Sequence, residues 1–210
     1  MVPDSTADNP DRGSLLRRLV VGAVLLAVTL LASTGSATVV TYADLGDLVK
    51  YSDTIIRGEV VEQRTLYDSD QQRIITRTSF RVDERYLDES GAADGSVTIE
   101  QWGGTWEGKT SVVPGDASFE PGEEVVVFLR HGPDGGLYLT SLAQSKFTIT
   151  RGGDGPLVTR DLTDLVFVEE AKEPAEGERS TFRLGEETRR LEVFEAELRS
   201  LIYARGGGSP

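Results

Sequence analysis

The chain has no cysteine, one histidine, one methionine and only four lysines among 210 residues. Without cysteine there is no disulfide framework, no thiolate metal site and no cysteine nucleophile. A single histidine, His131, excludes a multi-histidine metal centre and leaves any Ser-His-Asp triad resting on that residue alone. Neither a G-x-S-x-G nor an S-x-x-K pattern occurs, so His131, in a turn before Gly132-Pro133, has no partner nucleophile in the sequence. The glycine cluster Gly152-Gly153-Asp154-Gly155 lacks the Lys-Ser/Thr of a phosphate-binding loop and reads as a turn. Positive charge is scarce, with 22 Lys+Arg against 35 Asp+Glu and a net charge of −13. Nucleic acid binding needs clustered cations to displace counterions, so nucleic acid is not an expected partner. No cofactor or metal is called for.

What is present begins with an address. Arg17 and Arg18 precede the apolar run Leu19 to Leu31, and the small residues Gly35-Ser36-Ala37 follow. A basic stretch, a short apolar core and a small-x-small end make a secretory signal peptide, cleaved after Ala37. The alternative is a retained anchor, because residues 19–40 carry no charge and a bilayer takes about 20 residues to cross. Either way the expected location is outside the cytoplasm: secreted, periplasmic or on the cell surface. Residues 1–37 hold three Arg and three Asp, so the remainder keeps the whole net charge of −13. An exported domain of roughly 170 residues without disulfides has to rely on its own core, and that size normally suffices.

Beyond residue 37, Thr41 to Lys50 reads as a short amphipathic helix, with Leu45, Leu48 and Val49 on one face. Strand patterns then dominate. Thr54 to Leu66 is one strand, interrupted by Gly58, and Tyr67 to Gln71 is a hairpin loop. In the next strand Ile74, Thr76, Thr78, Phe80 and Val82 face one way, and Arg73, Arg77, Arg81 and Asp83 the other. Val97, Ile99 and Gln101 continue on a third strand, followed by a Gly/Pro-rich stretch from Gly103 to Glu123. Val125 to Leu129 is a continuous apolar run, as in a strand buried on both faces. Leu137–Leu142, Lys146–Thr150, Leu157–Thr159 and Leu165–Val168 add further strand candidates. Residues 169–178 hold five Glu, one Lys and a Pro, too little apolar surface to offset ordering. The organisation expected is a leader at 1–37, a β domain at 38–168, an acidic linker at 169–185, an amphipathic helix at 186–205 and a tail at 206–210. The fold expected is mainly β: a small antiparallel OB-like β-barrel with a short N-terminal helix and a C-terminal amphipathic helix. Gly58 would let the first strand bend. A β-sandwich is the alternative.

Three segments also carry a resemblance. Ser52 to Val61, Phe119 to Leu129 and Ala143 to Phe147 resemble, in order, the patterns "ADxVVxGxV", "FxxGExVxxFL" and "QGKFxI". These occur in a group of uncharacterised secreted bacterial proteins with a netrin/TIMP-like OB-fold pattern. The likeness covers about residues 41–150, and Ser145 stands where the group has Gly. It implies a secreted β-barrel that binds something. The metalloproteinase inhibitors of that family chelate zinc through an N-terminal cysteine, a mechanism this cysteine-free chain does not carry.

Two sets of residues could form a binding surface. Trp102 and Trp106 flank Gly103-Gly104-Thr105 and serve either as a stacking platform for a sugar or protein partner, or as a lid on the barrel core. Arg73, Arg77 and Arg81 form a stripe that either receives an anion or pairs across strands with Glu59, Glu62 or Glu100. Asp68-Ser69-Asp70 lacks the glycine and distal glutamate of an EF-hand loop. The reading is an exported, non-enzymatic binding module for an extracellular or envelope protein or glycan. The alternatives are a hydrolase using paired carboxylates and a structural envelope component. N-terminal sequencing of the exported chain should read Thr38-Val39-Val40; recovery of residues 19–37 would replace the leader by an anchor.

Overall fold

Alternation, rather than helical periodicity, governs most of the sequence after residue 37, and the chain is mainly β with two helices. The computed structural model describes residues 38–89, 95–168 and 181–206. All lie within one compact unit, residues 37–210. The expected leader (1–37), most of the expected linker (169–180) and the last four residues (207–210) lie outside the described residues.

In chain order the elements are β1 (Thr38–Thr41), α1 (Leu45–Tyr51), β2 (Thr54–Asp68), β3 (Arg73–Asp88), β4 (Ser96–Trp102), β5 (Gly104–Trp106) and β6 (Lys109–Ser111). There follow β7 (Glu124–His131), β8 (Leu137–Leu139), a 3-10 turn (Leu142–Ser145), β9 (Lys146–Gly152), β10 (Gly155–Asp161), β11 (Leu165–Val168), β12 (Thr181–Phe182), β13 (Glu186–Arg190) and α2 (Leu191–Gly206). The main sheet runs β13-β10-β9-β7-β2-β3-β4, with β8 also paired to β7. Its pairings are antiparallel. A second sheet runs β1-β11-β12, with β1 parallel to β11, and β5-β6 is a separate hairpin. Among the described residues no hydrogen-bonded ladder joins β4 or β13 back into a ring.

The long β2 bends where the sequence says it can. Its register against β3 shifts between Ile55 and Ile56, between Arg57 and Gly58, and between Val60 and Glu62. Gly58 is required there, because a Cβ would stand 2.3 Å from the carbonyl oxygen of Arg81. Past these bulges β7 no longer flanks β2, and β2 and β3, with β4 beside β3 as far as Ile75, extend as an arm whose tip is the turn at Asp68. The Asp68 carboxylate closes that turn by accepting from the backbone N–H groups of Asp70 and Gln71.

The continuous run Val125–Leu129 is buried at every position, and its residues alternate between two cores. Val126 and Phe128 face Phe147, Ile149, the α1 residues Leu48 and Val49, and the α2 residues Leu191, Phe194 and Leu198. Val125, Val127 and Leu129 face Ile56, Val60, Phe80, Val97, Ile99 and Phe119. The apolar stripe of α2 is thus buried within the chain, and each of its fully covered large residues contributes roughly 1.5–3 kcal/mol. Ionic contacts fix the helix from outside. Arg57 and the Tyr86 hydroxyl both meet Glu195, at 2.6 and 2.5 Å, and Arg199 meets Glu84 at 2.6 Å. Arg205, in the last turn of α2, donates to the Val49 and Ser52 carbonyls at 2.7 and 2.6 Å, satisfying acceptors at the end of α1. At its other end α1 carries a reciprocal capping box between Asp44 and Asp47.

Three expectations change. Residues 186–190 were expected to open the helix, yet they form β13, paired with β10 over five residues, and the helix starts at Leu191. The strand expected over 137–142 stops at Leu139, and Leu142, at a φ of 49°, enters the 3-10 turn. Residues 181–182, expected within the linker, form β12 against β11.

The largest fully buried side chain among the described residues is Arg160 on β10, only 1 % exposed. Its Nε donates to the Gln144 carbonyl at 2.9 Å and an Nη donates to the Ala43 carbonyl at 2.7 Å. Glu187 lies 3.5 Å from the other Nη. Gln144 is itself buried and bonded, accepting from the Ala43 N–H at 2.8 Å and donating to the Thr41 carbonyl at 3.0 Å. Substitution Arg160→Met strips two carbonyls and a carboxylate of their donor, so urea unfolding should show a loss of about 3 kcal/mol. A loss below about 1 kcal/mol would show that water or a rearranged side chain replaces it.

Candidate functional site

The inward face of β2, β3 and β4 changes character along its length. Near the middle of the sheet it carries Val60, Phe80, Val97 and Ile99, all buried. Toward the arm it becomes polar: Gln63 opposite Thr78, Thr65 opposite Thr76, and Gln101 beside Thr76. The side chains are hydrogen bonded in the same pairs, Gln63 to Thr78 at 3.2 Å and Thr65 to Thr76 at 3.1 Å. A polar inward face without an apolar cover leaves a cleft, and the Gly/Pro-rich stretch supplies its far wall.

That wall depends on two glycines. Gly103 and Gly104 have φ of 103° and 119°, a region that side chains avoid. A Cβ on Gly104 would also stand 2.4 Å from the Thr76 hydroxyl. The chain can therefore turn tightly out of β4 and lay the β5–β6 hairpin over the inward side of the arm. The cleft between them has a volume of about 380 Å³ and is lined by Gln63, Thr65, Thr76, Gln101, Thr110 and Trp102, among others. A second cleft of about 200 Å³ opens between β4 and β8 and shares Gln101, Trp102, Val113 and Asp116 with the first. It adds Arg130, Tyr138 and Glu100.

The two tryptophans are not one platform. Trp102 is the cross-strand partner of Ile75, on the outward face, and is 54 % exposed at the meeting of the two clefts. Trp106 lies beyond the glycines and packs on the Tyr67 ring, centroids 6.0 Å apart, on the inward side of the arm. Nor are the three arginines equivalent. Arg77 pairs with Glu100 at 3.2 Å, and Arg81 pairs with Glu59 at 2.6 Å and Asp83 at 3.7 Å. Arg73 lies over the Trp102 ring, 4.1 Å from its centroid. The structure brings together Trp102 and Arg73, and engages Arg77 and Arg81 in cross-strand pairs. Gln63, Thr65, Thr76, Arg130 and Tyr138 were not singled out in the sequence. Threonines on the inward face of an otherwise apolar alternation were the available signal.

Titration at the site follows from local bonding. Asp116 lines both clefts, and burial raises its pKa against the hydrogen bonds of Gln101 and the Ala117 N–H, which lower it. The Tyr138 hydroxyl donates to Asp134 at 2.5 Å, which pushes the phenol up to about 12 and holds the Asp134 carboxylate below its ordinary value.

Other concavities lie elsewhere on the chain. A third cleft of about 290 Å³ is rich in carboxylates: Asp116, Glu123, Asp161 and Asp164, with Lys146. Most are engaged. Glu123 meets Lys146 at 2.6 Å and accepts from Thr148 at 2.9 Å. Asp161 accepts from the hydroxyl and N–H of Thr163, which lowers its pKa. A larger groove of about 890 Å³ lies by Tyr42, Asp47, Tyr51 and Phe182. His131 is exposed, its Nδ1 3.5 Å from Asp53, and its backbone N–H donates to the same carboxylate at 2.8 Å. Among the described residues no group of three or more His, Asp or Glu could hold a metal ion.

Because the folded pKa of Asp116 is raised, ionising it costs the folded state. The penalty is absent below the ordinary aspartate range, grows as pH rises through the raised pKa, and is complete at neutral pH. Asp116→Asn should therefore raise the melting temperature at neutral pH, with the gain vanishing near pH 3. An equal gain at both pH values would show that charge is not the cause.

No protein-family model matches the chain, and no curated protein matches its sequence.

Proposed function

We propose that the chain is an exported, non-enzymatic module on an OB-type barrel that binds a glycan in the paired clefts around Trp102. The barrel reading is supported by strand order. β4-β3-β2-β7-β8 are neighbours in that order, β8 runs beside β4, and all five contribute to the inner core. One core fed by five strands of one sheet favours a barrel over a sandwich. The export reading rests on the leader pattern of residues 1–37.

The observation that carries the ligand class is the composition of the cleft wall. Amide and hydroxyl side chains from Gln63, Thr65, Thr76, Gln101 and Thr110 line the larger cleft, and the half-exposed Trp102 stands where it meets the smaller one. A sugar ring presents hydroxyls at its edge and C–H groups on its faces, which match that pairing of hydrogen-bonding groups and aromatic surface. The carboxylate-rich cleft favours the alternative, a hydrolase, since Asp116 and Asp161 are shifted in opposite directions within it. Release of reducing ends by the native chain, lost in Asp116→Asn, would establish that alternative.

The binding reading separates the two tryptophans. Trp102→Ala should abolish oligosaccharide binding in calorimetry while leaving the melting temperature within about two degrees, as exposed positions do. Trp106→Ala should instead lower the melting temperature, because it removes the ring packed on Tyr67. Undiminished binding by the Trp102 variant would refute this use of the cleft.

A further inference from the structure

Charge at the clefts differs from charge elsewhere on the chain. The protein carries 13 more negative than positive charges, and most of its described arginines form an ion pair with a carboxylate. Two arginines beside Trp102 make no ion pair among the described residues, although the charge of Arg73 reaches Asp134 and Asp68 stands opposite it across the strands. Among the described residues Arg73 makes no ion pair; its guanidinium lies 4.1 Å from the Trp102 ring centroid, and its Nε is buried without a hydrogen-bond partner. Arg130 is exposed in the smaller cleft and makes neither an ion pair nor a side-chain hydrogen bond among the described residues. Tyr138 links the two, as the cross-strand partner of Arg130 and a group that feels the charge of Arg73. The nearby carboxylates are already hydrogen bonded or paired: Asp68 by the Asp70 and Gln71 N–H groups, Glu100 by Arg77, Asp134 by Tyr138, and Asp116 by Gln101 and the Ala117 N–H.

We infer that the ligand of the Trp102 clefts is a carboxylate-bearing glycan, a chain of uronic-acid type, whose carboxylates are taken by Arg73 and Arg130. This rests on the glycan reading above and narrows it. A guanidinium offers a planar fork of donors that fits a carboxylate with two parallel bonds. The stack on Trp102 holds that plane in place before the ligand arrives, so little side-chain freedom is lost on binding. On a chain of net charge −13, two cations without an ion pair beside an aromatic cleft give an anionic sugar a local exception to a repulsive surface.

The test is calorimetry on the full chain with two probes, a galacturonic-acid tetramer and an uncharged glucose tetramer. The uronate should bind at least tenfold more tightly, with an advantage that shrinks as salt is raised. Arg73→Gln and Arg130→Gln should each weaken uronate binding about tenfold and shrink the preference for uronate over glucose accordingly. Arg73→Lys should recover part of the loss, since it keeps the charge and loses the fork; it also controls for damage to the arm. Equal, Trp102-dependent affinity for both probes would overturn the inference and keep the glycan reading. Absence of Trp102-dependent binding to either probe would overturn both.

Discussion

A guanidinium that is 1 % exposed must find acceptors from every direction before a fold can close around it. Arg160 does so with groups drawn from four separate parts of the chain. Two are backbone carbonyls, of Ala43 in the link between β1 and α1 and of Gln144 in the 3-10 turn. One is the carboxylate of Glu187 on β13, and the rings of Tyr42 and Phe147 cover the faces of the ion. Burial pulls its pKa below the ordinary arginine value, and the charge of Glu187 opposes that pull. The short elements around Arg160, each too small to hold its own position, are placed by this charge. Ser145 belongs to the same arrangement: it is buried, and its hydroxyl accepts from the Ser141 N–H at 2.6 Å, closing the 3-10 turn that presents Gln144.

With one end of the sheet fixed, the other is free to be polar. The two cores on either side of β7 hold the strands together without help from the arm formed by β2 and β3. The inward face of that arm can therefore carry threonines and glutamines where a buried sheet would need apolar residues. The glycine pair after Trp102 lets a second hairpin cover those polar groups without filling the space between. The clefts thus arise where the core ends, a position at which hydrogen-bonding groups remain near solvent and cost little to expose.

How much of this was legible follows from what each pattern depends on. The alternation in β3 and the apolar run of β7 record burial directly, and both faces could be assigned from them. The pairing of Arg77 with Glu100 and of Arg81 with Glu59 was among the cross-strand options, because period two fixes which side chains meet. β13 was not legible. Glu186-Glu187-Thr188-Arg189-Arg190 contains no apolar residue, and its strand form comes from β10 as a template and from Arg160 as a partner. The separation of the tryptophans was hidden for another reason. Counting along the chain keeps faces in order only while the backbone stays extended, and two positive-φ glycines break the count between residues 102 and 106. Nor could sequence distinguish Arg73 from Arg77 and Arg81, since the stripe is regular and only the folded arrangement reveals which cation forms no ion pair among the described residues.

The contacts around Arg160 also set an order of events. Ala43 and Glu187 are separated by nearly the whole β region, yet they meet at one ion. A chain emerging amino end first can form the β2–β3 arm early, from neighbouring residues. It cannot satisfy the Ala43 carbonyl until Arg160 arrives, nor balance that charge until Glu187 follows. Closing such distant contacts is slow compared with forming a hairpin. The segment that carries Glu187 therefore completes a cluster whose first member, Ala43, lies far upstream, and the ring of contacts closes only after both have formed around Arg160.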